Sequence, residues 1–292
     1  MAIRIWTDGA ADGNFGTAGN WTGAAAPVTG DTIIVSSTTR AITSGMDQTA
    51  ITSGTFIVGE KFYGSIGTAA SPLKFGGTMG EIRVNAPKSG TINLWPAACT
   101  TMVVEDCARV QGAAGFHLYD GNVTTLAVVG GADVLIGALA NPTTCILGAN
   151  DGKRRNLNVS IESGATITTI TQFYGTVDNA AAFTTYNGKG GLFRHNGTAT
   201  GAITTANIEQ PCTFLWQAQN GNTGFTLGTL NMFGGTFDSF AHVWNNTITT
   251  LTNHGGVVKI NNAFTVTTLI EYAAGYVGPT PGTRTTVSLG GK

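Results

Sequence analysis

The hydrophobic pattern of this chain is dominated by a short phrase in which two threonines stand between two apolar residues. The phrase returns about every 20 residues through the C-terminal two-thirds of the sequence. Complete copies lie at residues 99–102, 123–126, 167–170, 183–186, 203–206, 248–251 and 266–269, and degenerate copies lie at 142–145 and 227–230. A repeat of this length is typical of a solenoid, in which each coil covers the apolar surface of its neighbour.

The segments around these phrases have the composition of short β-strands. Runs of Val, Ile, Thr and aromatic residues alternate with Gly, Asn and Asp, as at residues 32–35, 55–58 and 157–161, and no stretch keeps helical apolar spacing over three turns. Propeller blades would have a period of about 40 to 50 residues, and leucine-rich repeats would show a Leu-x-x-Leu-x-Leu pattern that this sequence lacks. The pattern therefore predicts an all-β parallel β-helix of roughly twelve coils over residues 31–278.

The Thr-Thr pair has a definite place in such a β-helix. We expect the apolar residues of each phrase to point into the interior. The two threonines then either face opposite sides of the strand or lie together at a corner. Equivalent residues of successive coils would stand about 4.8 Å apart, so that Thr side chains form ladders along the solenoid.

The two ends of the chain differ from the repeat. Residues 1–30 are rich in Gly and Ala and contain Trp6, Phe15 and Trp21. We expect this segment either to cap the open end of the solenoid, whose free strand edge needs cover, or to dock on a partner as an extended arm. Large aromatic side chains dominate interface energy, so the three rings are candidate partner-binding anchors. Residues 279–292 have two prolines near their start and are predicted to leave the coils as a tail.

Aromatic residues are frequent in the late coils. Most of them are expected to fill the interior, and a minority to form a surface stripe that stacks on sugars or docks a protein. Trp216 and Trp244 are the better candidates for contact with a partner. The full set is Phe173, Tyr174, Phe193, Phe214, Trp216, Phe233, Phe237, Phe240 and Trp244.

Composition narrows the classes of function. Charged residues make up 11% of the 292 residues, and the net charge is −1. The sequence has no basic run, which argues against binding of nucleic acid or of an anionic membrane surface. No apolar run is long enough to span a membrane. The apolar fraction of 42% is too high for a disordered linker, so the chain is expected to bury a core.

Candidate catalytic and metal-binding groups are sparse. Glu105 and Asp106 are the only adjacent acidic pair. Asp106, Asp120 and Asp133 could flank a glycosidic bond if neighbouring coils placed them on one face, but Asp-Gly pairs such as Asp120-Gly121 are also typical of turns. The four histidines lack the spacing of a metal site. The four cysteines form no Cys-x-x-Cys pair and are expected to be buried free thiols. We therefore expect no enzymatic activity, no metal and no cofactor.

A resemblance to a known family adds to this interpretation. The phrase Asn20-Trp21-x-Gly23-x-x-x-Pro27-x-x-Gly30-Asp31-x-x-x-Val35 resembles an opening segment of bacteriophage virion proteins and of β-helical surface adhesins. In those proteins it leads into a right-handed parallel β-helix. The first residues of the chain lack the cationic and apolar regions of a secretion signal, which favours the phage proteins over secreted adhesins.

The resemblance implies a non-enzymatic virion structural protein. The modest length favours a capsid cement, decoration or head-fibre protein over a tailspike. The implied partner is the major capsid protein, with self-association as a homotrimer, or as a dimer in second place. The implied location is the capsid surface, after synthesis in the host cytoplasm. The alternative is an adhesin of the tail-fibre or tailspike type, which binds or cleaves a polysaccharide of the host surface.

Overall fold

A computed structural model of the chain shows an all-β protein built from stacked parallel coils. It describes residues 1–36, 38–86, 90–107, 114–148, 156–196, 203–217, 226–239, 246–260 and 264–272, together with the backbone of two later strands at 276–278 and 283–288. The coils form a β-solenoid of about ten turns, and 3% of the residues are helical. The predicted fold class is therefore confirmed. The chain divides into two compact units, an N-terminal unit, Met1–Val159, and a C-terminal unit, Ser160–Lys292.

The N-terminal unit combines short first strands with long later strands that continue through the corners of a coil. Its strands are β1 (Ile3–Ile5), β2 (Thr32–Val35), β3 (Asp47–Gln48), β4 (Thr55–Val58), β5 (Leu73–Asn85), β6 (Ile92–Glu105), β7 (Phe116–Gly130) and β8 (Ala132–Leu147). β1 pairs in parallel with β2, β2 with β4 and β4 with β5, and the strands β5 to β8 then pair in sequence order. Two 3-10 helices, Ala18–Asn20 and Thr22–Ala24, lie in the opening segment. β9 (Leu157–Ile161) includes the boundary between the two units.

The C-terminal unit has two strands in each coil, separated by a tight turn. The first strands are β10 (Thr166–Gln172), β12 (Ala182–Gly188), β14 (Ile203–Ile208), β16 (Thr226–Met232), β18 (Asn246–Asn253), β20 (Phe264–Glu271) and β22 (Thr283–Ser288). The second strands are β11 (Thr176–Asn179), β13 (Leu192–His195), β15 (Thr213–Trp216), β17 (Thr236–Asp238), β19 (Val257–Lys259) and β21 (Tyr276–Gly278). Within each series every strand pairs in parallel with the next. Gly234 and Gly235 form one of the turns at φ values of 134° and 70°, which glycine adopts readily.

The Thr-Thr phrase marks an outer corner of each coil. In all complete copies the two apolar residues are buried, the first threonine is exposed and the second is half-buried. The strand register pairs Thr169 with Thr185 and Thr185 with Thr205, and it passes over the first threonine, where the backbone bends. Of the two arrangements expected from the sequence, the corner is the one that the structure contains.

The interior of the C-terminal unit contains a column of stacked aromatic rings. Val177, Phe193, Phe214, Phe237 and Val258 occupy registered positions on the second strands and are fully buried. The ring centroids of Phe193 and Phe214 are 5.0 Å apart, and those of Phe214 and Phe237 are 5.4 Å apart, with nearly parallel planes. Stacked aromatic pairs contribute about 0.5–1.5 kcal/mol beyond the burial of their area. Each ring therefore links its own coil to the next.

The structure differs from two predictions about the solenoid, its number of turns and its C-terminal end. It has about ten turns where the sequence predicted twelve. Thr32, Thr55 and Glu81 are registered partners on successive strands, and their spacing along the chain exceeds the repeat of the phrase. The early coils are therefore longer than the later ones. Parallel pairing also continues beyond residue 278, because β22 pairs with β20. The segment 279–292 therefore contributes a strand, where the sequence predicted only a tail.

Candidate functional site

The outer surface of the C-terminal unit presents columns of uncharged polar side chains, with one residue from each coil. The first column contains the second threonine of each phrase, in register along the first strands. Its members are Thr169, Thr185, Thr205, Thr229, Thr250 and Thr268. Adjacent strands lie about 4.8 Å apart, so the hydroxyl and methyl groups of successive threonines are neighbours. The predicted Thr ladder is present in this unit.

A second outer column carries amides, and we call it the amide ladder. Asn207 Nδ2 donates to Asn187 Oδ1 at 2.8 Å, and Asn231 Nδ2 donates to Asn207 Oδ1 at 2.9 Å. Asn187 Nδ2 donates in turn to the Thr171 hydroxyl at 3.4 Å. All three bonds run in the same direction between half-buried side chains. This repeating pattern fixes the spacing of polar groups on the surface before any partner arrives.

A third column lies at the turn that follows each first strand, and we call it the corner column. This turn is not the Thr-Thr corner, which lies earlier in the first strand. Its described members are Phe173, Lys189, Glu209, Phe233, His254 and Tyr272. Backbone hydrogen bonds fix its register: the His254 N–H donates to the Met232 carbonyl, and the Tyr272 N–H donates to the Asn253 carbonyl. Lys189 Nζ and Glu209 Oε1 form an ion pair at 2.6 Å. The first three members of the corner column are therefore one aromatic residue and one ion pair.

Phe233, His254 and Tyr272 form an exposed aromatic ladder within the corner column. The ring centroids of Phe233 and His254 are 5.0 Å apart with planes at 11°, and those of His254 and Tyr272 are 4.5 Å apart with planes at 3°. Phe233 is 53% exposed and Tyr272 is 45% exposed. Contiguous exposed aromatic surface of this kind is typical of binding sites.

A groove of about 350 Å³ begins beside the aromatic ladder. Its lining includes Gln210, Thr213, Gly234, Thr236, Gly255 and Val257. Gly234 and Gly255 directly follow Phe233 and His254 in the chain. A Cβ added to Gly255 would meet no atom within 4 Å, so the backbone is open at this point. The volume is at the lower end of the range for ligand sites, and every described lining residue is uncharged.

Three of the predicted partner anchors are buried in the N-terminal unit. Trp6, Phe15 and Trp21 are at most 2% exposed. Their rings pack on one another, with centroid distances of 5.1 Å for Trp6–Trp21 and 4.9 Å for Phe15–Trp21, and Phe15 lies 6.4 Å from Phe56 of β4. The structure therefore corrects the expectation of exposed anchors on an extended arm. Residues 1–30 fold against the first strands of their own unit as a cap.

The phrase that carries the family resemblance has structural roles in this cap. Asn20 is fully buried, and its Oδ1 accepts a hydrogen bond from the Ala10 N–H at 2.9 Å while its Nδ2 donates to the Asn14 carbonyl at 3.0 Å. Trp21 Nε1 donates to the Phe15 carbonyl at 2.7 Å. These bonds satisfy polar groups that would be costly to bury unpaired.

Asp31 closes the other end of the phrase. Its carboxylate accepts hydrogen bonds from the N–H groups of Ala2 and Val28 and from Arg4 Nε at 3.3 Å. Burial alone would raise the pKa of Asp31, but these bonds together lower it below its usual value. Gly30 has a φ of 88°, a left-handed conformation that suits glycine at this turn. Asn20, Trp21 and Asp31 of the phrase are therefore buried and stabilise the cap.

The two later anchors have different outcomes. Trp216 is 2% exposed and packs in the interior, 6.0 Å from Phe214 and 6.3 Å from Phe237 between ring centroids. The predicted surface contact through Trp216 is therefore corrected, because the second strand turns this side chain inward. Trp244 and Phe240 lie outside the described residues.

One ring of the aromatic ladder was among the candidates predicted from the sequence, and two were not. Phe233 belonged to the set of late aromatics, whereas His254 and Tyr272 did not. The missed signal is positional. Each corner-column residue is the third residue after the last apolar residue of a Thr-Thr phrase, including the degenerate copy at 227–230. Aligning the phrases would have placed the three rings in one column.

The acidic residues considered for catalysis lie in the N-terminal unit. Asp133 lies in the coil next to Asp106, because its N–H donates to the Cys107 carbonyl at 2.8 Å. Asp106 lies in the bend that ends β6, whereas Asp120 lies within β7 in register with Leu139. Asp133 accepts a hydrogen bond from the Asn158 amide at 2.9 Å. The register therefore does not bring Asp106 and Asp120 to the same position around the coil.

The cysteines are buried free thiols, as the sequence predicted. Burial raises the pKa of Cys99 and Cys212 to about 11, and that of Cys107 and Cys145 to about 12. The thiolate is the nucleophilic form of cysteine, so these groups are unreactive near neutral pH. Cys212, which lines the groove, also lies 3.2 Å from the Tyr186 hydroxyl.

Two histidines have environments that oppose their charge. Burial lowers the pKa of both His117 and His195 to about 4. His195 is in the interior, where its Nδ1 lies 3.0 Å from Asn179 Nδ2, and His242 lies outside the described residues. Across the part of the chain that the structure describes, no three His, Cys, Asp or Glu side chains are placed to hold a metal ion.

Comparison of the chain with protein-family models, with curated proteins and with solved structures finds no match. Within the described ranges, no helix is long and apolar enough to cross a membrane. The fold and the surface therefore define the class of protein by themselves. It is an all-β parallel solenoid with outer columns of threonine and asparagine, a capped N-terminal unit and an exposed aromatic ladder beside a groove.

Proposed function

We propose that this chain is a non-enzymatic structural protein of a bacteriophage virion, which binds and stabilises or decorates the capsid. The observation that carries the proposal is the registered outer surface of the C-terminal unit, where threonines and asparagines repeat from coil to coil. The resemblance of residues 20–35 to the opening segment of phage virion proteins supports it.

Such a surface is suited to burial against protein subunits. Thr and Asn lose less side-chain entropy on burial than Lys, Arg or Glu, and they carry no charge that must be desolvated. The buried centres of interfaces are depleted of charged residues for the same reasons. The strand register also holds the columns in place before binding, which lowers the cost of ordering them. The major capsid protein is the proposed partner.

Self-association as a homotrimer, with a dimer in second place, is part of the proposal. A half-buried outward column of Val103, Ala127 and Ile146 in the N-terminal unit supports it, because apolar side chains gain from burial against another copy. Light scattering of the purified protein should give a multiple of the 30.0 kDa chain mass. A monomer at micromolar concentration would contradict this part of the proposal.

Electron microscopy of phage particles tests capsid binding directly. Gold-labelled antibodies against the chain should mark the capsids of the phage that encodes it. The double variant Thr204→Lys/Thr249→Lys places two charges on exposed first threonines, directly beside Thr205 and Thr250 of the threonine column, and should stay folded but lose decoration. Ser163→Lys, at an exposed position away from these columns, is the matched control and should decorate normally. Unlabelled particles would refute the proposal.

The proposal assigns no catalytic step to the chain. Incubation with a panel of bacterial polysaccharides, followed by a reducing-end assay, should show no depolymerisation. Cleavage that is lost in Asp106→Asn or Asp120→Asn would instead favour the tailspike alternative.

A further inference from the structure

The corner column carries charged residues in some coils of the C-terminal unit and aromatic residues in others, beginning with Phe173. Lys189 and Glu209 occupy it in two successive coils and pair with each other, whereas Phe233, His254 and Tyr272 occupy it in the next three. The fold accepts charged side chains at this corner, so it does not need aromatic rings there for packing. Exposed aromatic surface forgoes the free energy that burial would supply. Its presence at this place points to a ligand.

The groove shares the coils of Phe233 and His254 with the aromatic ladder and extends to residues 210–213 of the preceding coil. Gly255 leaves the backbone open on one side, whereas Gly234 lies close to Gln210. Thr213 and Thr236 are registered neighbours and are half-buried, and Gln210 is exposed, so hydroxyl and amide groups line the groove. Aromatic surface and uncharged hydrogen-bonding groups therefore lie side by side.

We propose that the aromatic ladder and the groove together bind an uncharged oligosaccharide. A pyranose ring presents C–H groups on its faces and hydroxyl groups around its edge. The C–H groups pack against aromatic surface, and the hydroxyl groups pair with Thr, Gln and backbone groups. Among the described residues that line the groove none is charged, and Lys189 and Glu209 neutralise each other. The site therefore favours a neutral glycan over an acidic one.

This inference does not rest on capsid attachment. Sugar binding uses the corner column, whereas the proposed attachment uses the threonine column and the amide ladder. Variants of the two surfaces therefore test the two proposals separately, and either can fail while the other holds.

The test is a titration of the purified full-length protein with neutral oligosaccharides. The probes are maltohexaose, cellohexaose, chitohexaose and a mannose hexamer, and binding is followed by ligand-observed NMR and calorimetry. At least one probe should bind saturably. Phe233→Ser and Tyr272→Ser should each weaken that binding by about three- to tenfold, the loss of one aromatic contact. Thr236→Val should also weaken it, and it should fold normally because Val257 occupies the same register in the next coil.

Tyr63→Ser provides the matched control. Tyr63 is an exposed tyrosine of the N-terminal unit, and its variant should bind sugar like the unaltered protein. Failure to bind any of the probes would overturn the proposal, as would binding that survives both Phe233→Ser and Tyr272→Ser. Preference for a uronic-acid oligosaccharide would overturn the assignment to neutral glycans. Loss of capsid decoration in the two ladder variants, without any sugar binding, would identify the ladder as a protein-docking surface instead.

Discussion

The two units share parallel coil geometry, but different kinds of contact stabilise the interior of each unit. The N-terminal unit has strands of 13 to 16 residues in β5 to β8 and begins with a cap of contacts that occur once. The C-terminal unit has strands of eight residues or fewer and repeats the same contacts in columns. Repeated contacts between neighbouring coils make stability roughly a sum of similar terms. A contact of the cap occurs once, so its loss is not offset by equivalent contacts in other coils.

The outward residue that follows the Thr-Thr phrase differs in chemistry between the two units. In the C-terminal unit it is the amide ladder of Asn187, Asn207 and Asn231. At the equivalent register the N-terminal unit has Val103 and Ala127. The inward residues of the phrase are apolar in both units, because they form the core. The interior therefore specifies the coil, and the outer columns are free to serve recognition.

Deleting residues 2–24 should have the largest effect. The truncation removes β1 from the edge of β2 and removes Trp6, Phe15 and Trp21 from the core of the cap. The free edge and the exposed apolar surface should make the N-terminal unit melt early and aggregate. Circular dichroism melting and size-exclusion chromatography would measure both effects.

The exposed surface of the same segment provides the control for this deletion. Ala10→Ser and Ala18→Ser change exposed residues of the cap and should leave the melting temperature unchanged. A truncated protein that melts with the full-length chain would show that residues 2–24 act as an arm and not as a cap.

Phe214→Ala should have the next largest effect, and it should appear in the C-terminal unit. Phe214 is fully buried between Phe193 and Phe237, so its removal leaves a cavity in the stacked column. The free energy of unfolding should fall by about 3–5 kcal/mol. Phe233→Ala removes an exposed ring of the same unit and should cost well under about 1 kcal/mol. Urea unfolding would measure both variants, and equal losses would contradict the assignment of core and surface.

The sequence predicted the fold because the repeat depends on local alternation. Apolar residues on both sides of the Thr-Thr pair are all that a coil needs in order to bury one face, and they are visible in the chain itself. The number of coils was predicted less accurately than the fold, because loops add residues without adding a turn. Thr55 and Glu81 are registered partners although no phrase marks the loop between them.

The surface was harder to predict than the fold. Trp6 and Trp21 were expected to anchor a partner, but their burial depends on contacts with Phe15 that no local pattern shows. Tyr272 is an isolated aromatic in the sequence and joins the aromatic ladder only through the register of three coils. Non-local pairing, which the sequence does not display, decides which rings are exposed.

The C-terminal unit should lose stability in mild acid through His195. Burial lowers the pKa of His195 in the folded chain to about 4, whereas histidine in an unfolded chain has a pKa of about 6.5. Between these values the unfolded chain binds a proton that the folded chain does not. The free energy of unfolding should therefore fall as the pH is lowered from about 6.5 to about 4, by up to about 3 kcal/mol. Urea unfolding at a series of pH values would measure it.

His195→Gln removes the titrating group and should flatten the profile in this window. His117→Gln is the comparison in the N-terminal unit; the pKa of His117 is also lowered to about 4 by burial, but the side chain is only half-buried and solvent limits its effect. The lowered pKa of Asp31 acts at more acid pH, since its contribution is present above about 3.8 and is lost below that value. An unchanged profile in His195→Gln would refute the assignment.

Asn207→Val should have the smallest effect and tests the comparison of the outer columns most directly. The change gives the amide ladder the residue found at Val103 in the N-terminal unit. It removes the hydrogen bonds from Asn207 to Asn187 and from Asn231 to Asn207. Both neighbours are half-buried and can bond to water, so the free energy of unfolding should fall by no more than about 1 kcal/mol. Thr204→Val, at an exposed corner, is the control and should change it by less than about 0.5 kcal/mol in urea unfolding. A loss of several kcal/mol for Asn207→Val would mean that the amide ladder holds the coils together, and that the outer column is part of the fold and not a surface free for recognition.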